Sequence, residues 1–323
     1  MWSLVALAAV AANPEAALLC TAPQEPWTEL RFQPLGTSDL APAVARLEHV
    51  AGESVQGAVL PGRRAVVAVA VAEPRKDLSF ASHLYLLEPG KAPKDLADRV
   101  LLGQRPYVSS RGRVYVVRGV PGPERVDALS LDEIDLRTGK ATAVHAFNGY
   151  AAFVFGELRG ALAVYRITPL GGEFLTVHPD ALGVTVHHRL YPLARDFTVD
   201  GKRGVFVYTT GDAAGRWWVE ALDVSTGETR PLARGDSMAL LPTVFPDGAI
   251  GVSRGRGQGL GPLLAQGEGH LRVRAFVGDT AAGLDERPDG SATPFAVDWK
   301  KGTKLTLPAP PGLRLDFAGV VQP

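Results

Sequence analysis

The chain has 323 residues, with 34 lysines and arginines against 34 aspartates and glutamates, so its formal net charge is zero. That balance, with no run of five like charges, excludes an electrostatic nucleic-acid binder and a solvated charged tail. A hydrophobic share of 46% excludes wholesale disorder, and a single cysteine excludes an intrachain disulfide or a cysteine-rich zinc site.

The chain opens on an apolar run, Leu4 to Ala12, too short to span a bilayer and suited to the core of a secretory signal. Residues 1–12 are read as a signal peptide with cleavage before Asn13. No lysine or arginine precedes the run, which departs from the usual pattern. Ala17-Leu18-Leu19-Cys20 resembles a bacterial lipobox, which makes Cys20 a possible lipid anchor. Leu19 is bulky for the position before the cysteine. Residues 13–41, rich in Pro, Ala and Thr, read as an N-terminal arm with Trp27 and Phe32 as anchors. No second apolar stretch is long enough to cross a membrane.

From residue 42 to 323 the sequence reads as one all-β domain. Short alternating apolar runs are separated by polar turns, many of which carry glycine. One turn series falls at Gly90, Gly139, Gly183, Gly227, Gly267 and Gly302. A second falls one hairpin earlier in each repeat, at Gly62, Gly112, Gly160, Gly201, Gly248 and Gly290. A quasi-period of about 40–45 residues built from strands signals a β-propeller, one four-stranded antiparallel blade per repeat. Six blades is the favoured count, with seven or five as alternatives. The ring is expected to close by one terminal segment completing the blade begun by the other, because a loose edge strand is a liability.

The clearest repeat runs from Asp196 to Arg234. It reads Phe197-Thr-Val-Asp-Gly-Lys, then Val205-Phe-Val-Tyr208, then Val219-Glu-Ala-Leu-Asp-Val-Ser-Thr-Gly227, then Glu228-Thr-Arg-Pro-Leu232. This resembles the TolB-type, or WD40-like, propeller repeat, whose pattern is an aromatic residue, Ser-Pro-Asp-Gly, two strands, a glycine turn and Arg-Leu. The likeness is partial over 240–275 and loose over 59–195. It implies blades and carries no catalytic residue.

Strings with chemical potential mostly fail their context. Gly251-Val252-Ser253-Arg254-Gly255 fits Gly-x-Ser-x-Gly, but a nucleophile elbow needs a strand-to-helix turn and here a glycine-rich loop and a strand follow. His178, His187 and His188 fall on one outer hairpin beside Asp180 and read as surface strand residues. Asp132, Glu133 and Asp135 read as a solvated strand face. No cofactor or metal is implied.

Topology places a site better than motifs do. Loops that lead into the inner strands ring the mouth of a propeller's central channel. By the strand count above they carry Arg105, Tyr107, Asn148, Tyr150, Arg195, Asp196, Glu286 and Arg287. Such a ring suits a small polar or anionic ligand or the end of a protein partner. The favoured reading is a non-enzymatic, extracytoplasmic binding or scaffold protein. The alternative is a propeller enzyme of hydrolase, lyase or lactonase type with its site in the channel.

Overall fold

The computed structural model describes residues 13–74, 80–120, 128–181, 183–190, 194–235, 240–255, 258–260 and 269–322. The signal segment at 1–12 and the turn at Gly267 lie outside these residues. No helix among the described residues is long and apolar enough to cross a membrane.

The strands form a β-propeller. Its first blade is built from both ends of the chain. Arg314–Val321 lies innermost, followed outward by Glu15–Thr21, Trp27–Pro34 and Ala45–Glu48. A second blade runs outward as Gln56–Val59, Val66–Val71, Ser82–Leu87 and Lys94–Val100. A third runs as Tyr107–Val108, Val114–Gly119, Ala128–Ile134 and Ala141–Asn148. These two share one hydrogen-bonded sheet, joined through the pair Val100 and Arg118. The fourth blade holds Ala151–Leu158, Ala161–Thr168, Gly171–His178 and Gly183–Leu190. The fifth holds Arg195–Asp200, Val205–Gly211, Trp217–Asp223 and Thr229–Gly235. The sixth shows Leu241–Val244, Ile250–Gly255 and Gln258–Leu260, and the last holds His270–Val277, Thr280–Glu286, Ala292–Asp298 and Thr303–Leu305.

The innermost strands touch in sequence around the axis, and Arg314–Val321 meets both His270–Val277 and Gln56–Val59. Among the described residues the ring thus has seven blade positions, where six is the favoured count from sequence and seven an alternative. The extra position arises at residues 13–41, where an arm is expected and two blade strands stand instead. The expectation that one terminus completes the blade begun by the other holds.

The core sits between blades. Each junction carries one apolar cluster, and a strand buried on both sides feeds two of them. Ala16, Leu18 and Cys20 face the last blade, whereas Ala17 and Leu19 face the second. Val67 and Val69 face the third blade, whereas Val66, Ala68 and Ala70 face the first. Cys20 is fully buried, and burial pushes its thiol up to about 12. A lipid on Cys20 would require cleavage before it, removing five residues of this strand, so the blade is incompatible with that anchor.

Aspartates stiffen the turns. Asp223 Oδ1 accepts from the Ser225 N–H at 2.8 Å and the Ser225 hydroxyl at 2.6 Å. Asp289 Oδ1 accepts likewise from Ser291 at 2.9 and 2.6 Å. These bonds hold both carboxyls below the usual carboxylate range. A lowered folded value means the stabilisation is complete above the unfolded value of about 3.9 and is lost as pH falls through the folded one. The melting temperature of the wild type should therefore drop more steeply on acidification below about pH 4 than that of an Asp223→Asn/Asp289→Asn variant. Parallel curves would show that these turns do not contribute.

Candidate functional site

The inner strands all begin at one end of the channel, and a network of arginines and carboxylates fills that opening. Its centre is Arg272 on His270–Val277. Arg272 Nε and Nη2 donate to Glu286 Oε1 and Oε2 at 2.6 and 3.0 Å. Arg272 Nη1 donates to Asp196 Oδ1 at 2.8 Å. Asp196 belongs to the fifth blade and Arg272 to the last, so this bond reaches past the inner strand of the sixth blade. Asp196 Oδ2 also accepts from Arg195 Nε at 2.6 Å. Burial acts to lower the basicity of Arg272, but Glu286 and Asp196 outweigh it and hold the guanidinium above the ordinary arginine range.

A second tie spans the other side. Arg105 donates to Asp316 Oδ1, to the Gly57 carbonyl, and to the Phe317 carbonyl at 3.2 Å. Asp316 Oδ2 accepts from the Gly57 N–H at 3.0 Å. The first three blades are thereby tied at their inner edges. Gly57 suits this crossing because a Cβ there would come 2.6 Å from Leu19 Cδ1 and 2.8 Å from Val66 Cγ1.

Between the two ties stands Arg274. It has no hydrogen bond or ion pair among the described residues. Its side chain is open to the channel but walled by protein. That burial, with Arg105 and Arg272 close by, pushes its guanidinium well below the ordinary arginine range. Arginine keeps its proton at neutral pH, so the shift expresses electrostatic stress on a cation that stays charged. Backbone irregularity aims these groups. The pairing register skips a residue at Arg274, and shifts again between Arg195 and Thr198, leaving Asp196 unpaired at φ 52°. Bulges of this kind redirect side chains out of the regular pleat.

Two cavities meet at Arg272 and Arg274. One of about 240 Å³ is lined by Thr21, Gln56, Arg105, Arg314 and Asp316 among others. The other, about 230 Å³, is lined by Asp196, Thr198, Leu241, Thr243 and Phe276 among others. A third, about 510 Å³, lies toward the opposite end of the channel beside Tyr107, Ser110, Glu157 and Arg159.

The residues expected at the mouth divide accordingly. Arg105, Arg195, Asp196 and Glu286 share the network. Tyr107 lines the third cavity, with its hydroxyl pushed up by burial and by Glu157. Asn148 and Tyr150 are exposed at the connection from the third to the fourth blade. Glu286 and Arg287 do not lead into an inner strand, because Gly290 turns the second strand of the last blade into the third. They reach the same end of the channel because Glu286 pairs with His270 at the start of the inner strand.

Other sequence expectations resolve locally. Ser253 is fully buried within a strand, and its hydroxyl accepts from the Leu271 N–H at 2.9 Å, so it forms no nucleophile elbow. Asp132 is buried against Arg118 at 2.9 Å, where a solvated face is expected. His187 Nε2 and Thr176 Oγ1 hydrogen-bond at 2.8 Å on the outer hairpin. No group of three or more His, Cys, Asp or Glu stands ready for a metal among the described residues.

No family model matches the chain, and no curated protein matches it. Solved structures do resemble it in fold. TolB from Acinetobacter baumannii superposes with a TM-score of 0.56 at 12% identity, covering 95% of this chain and 67% of that one. A chain of a nidogen/laminin complex gives 0.51 at 13% identity, covering 95% and 97%. A prolyl endopeptidase gives 0.56 at 13% identity, covering 94% of this chain and 50% of that longer one. The shared feature is the β-propeller, the fold that the TolB-type repeat resemblance implies.

Proposed function

We propose that this protein is an extracytoplasmic binding protein that receives a polar ligand or partner at the arginine-lined opening of its channel, without chemical conversion. The observation that carries the reading is Arg274, a cation without a hydrogen bond or ion pair among the described residues, beside Arg272 and Arg105, which are tied to carboxylates. Paired groups brace the ring, whereas an unpaired one facing a cavity is available to a guest. The complex formed by the nidogen/laminin neighbour accords with a binding role for this architecture. The compartment rests on the Leu4–Ala12 leader, since cleavage before Asn13 would leave every described strand intact. The sequence of the mature N-terminus tests it, and a retained Met1 would overturn it.

The test of binding against catalysis is a thermal-shift screen of polar and anionic metabolites on the full chain. Each hit is then incubated at length with the protein and chromatographed. Hits should stabilise the protein and return unchanged. A converted hit would overturn the reading and favour the propeller-enzyme alternative. The expected size follows from mass action, about 2.7 kcal/mol of stabilisation at a hundredfold excess over Kd.

A further inference from the structure

The geometry points to Arg274 as the anchor of an oxyanion site inside the channel opening, taking the carboxylate or phosphate of a small ligand or of a partner's chain end. This rests on the reading that the opening binds a guest, and it names the chemistry of that guest.

Four arginines, Arg105, Arg272, Arg274 and Arg314, line the 240 Å³ cavity against two carboxylates, Glu286 and Asp316. Glu286 is gripped in two-pronged fashion by Arg272, and Asp316 accepts a single bond from Arg105, whose other donor goes to backbone carbonyls. Arg314 donates to the Gly52 carbonyl at 3.2 Å on the exposed rim. Among the described residues of this lining, Arg274 alone keeps its fork of five N–H donors uncommitted to protein, and that fork matches a carboxylate or phosphate in planar geometry. The protein walls of the channel, which shield a guest from bulk water, would strengthen the hold of Arg274 on an anion relative to an arginine on the open surface.

The site also has a direction. From Arg274 one cavity continues past Arg105 and Asp316, and the other past Thr243 to Leu241, Pro242 and Phe276. An anionic head on Arg274 with a short, partly apolar body along the second cavity fits both linings. Repulsion from Arg105 and Arg272 makes Arg274 a burden on the unliganded fold, which is the usual cost of a binding group.

Isothermal titration and thermal melts of the full chain with inorganic phosphate, succinate and citrate test the assignment. The wild type should bind at least one of these saturably and melt higher with it. Arg274→Gln should weaken that binding by about tenfold or more, and Arg274→Lys by less. Unliganded Arg274→Gln should melt at or above the wild-type temperature, and Arg216→Gln, on an exposed turn, should bind as the wild type does. Response to phosphate alone identifies a phosphate ligand, and response to the acids a carboxylate. Tetra-alanine with a free C-terminus, set against its amide, separates a chain end from a free acid. Absence of saturable binding by all four probes at about 10 mM, or an Arg274→Gln affinity within twofold of wild type, overturns the site. So does a lower melting temperature for unliganded Arg274→Gln. A neutral ligand indifferent to Arg274→Gln would sink the oxyanion site and leave the binding reading standing, whereas a converted ligand sinks the reading itself.

Discussion

Removal of everything after Leu313 should abolish cooperative folding. Arg314–Val321 is the innermost strand of the first blade, paired from end to end with Glu15–Thr21. Phe317 is fully buried, and Ala318 and Val321 nearly so. Burying a large apolar side chain contributes about 1.5–3 kcal/mol, and Phe→Ala in a core typically costs about 3–5. The deletion also strips the apolar cluster between the last and first blades, and takes Asp316 away from Arg105 and Gly57. Together these losses are comparable to the whole ~5–15 kcal/mol by which a domain is stable. It further exposes Glu15–Thr21 as an apolar edge, an invitation to aggregation. Far-UV circular dichroism and thermal melts read the outcome, with Phe317→Ala as the milder companion, expected to fold with a reduced melting temperature. A synthetic peptide spanning residues 309–322, added in trans, should restore part of the structure by strand addition. A truncated chain that unfolds at the wild-type midpoint would refute the ring closure described above.

The turns of this propeller were legible in the sequence because they obey local rules. Gly139 and Gly227 stand at φ 75° and 74°, a conformation cheap only for glycine, and both fall in the outer turns where the spacing places them. The first blade was not legible, for a reason just as physical. Glu15–Thr21 is buried on both faces, so it reads as a continuous apolar run without alternation. A short leader segment reads the same way, and periodicity alone does not separate them. The missing strand in turn displaced the count in the last blade, where Gly290 turns the second strand into the third.

The channel opening was half legible. Arg105, Arg195 and Asp196 emerge from counting loops and Glu286 only through a displaced count, but the network's centre, Arg272, and its free member, Arg274, lie inside an inner strand. A signal exists in His270-Leu-Arg-Val-Arg-Ala, where arginines occupy alternate positions on a strand that an exact blade count would place at the axis. The bulge at Arg274 and the positive φ at Asp196 depend on neighbouring blades and leave no mark in local sequence.

Arg272 should prove the most sensitive charged residue in the ring. Its side chain is 21% exposed, Glu286 32% and Asp196 8%, so the group is neither at the surface nor fully dry. Removing one partner of a fully buried pair costs about 3–5 kcal/mol because the remaining charge is left uncompensated. Channel solvent discounts that figure here, and Arg272→Ala should cost about 2–3 kcal/mol. Two carboxylates lose their shared cation at once, and Asp196 keeps only the exposed Arg195. If the cost comes from orphaned charge, removing that charge should recover much of it. The triple variant Arg272→Met/Asp196→Asn/Glu286→Gln should thus unfold within about 1 kcal/mol of wild type in urea, well above Arg272→Ala. Double-mutant cycles between Arg272 and each carboxylate should give coupling of about 1 kcal/mol or more, larger for Asp196, the less exposed partner. Additive cycles would mean that the contacts brace nothing, and that the fifth and last blades are held in register by the apolar clusters alone.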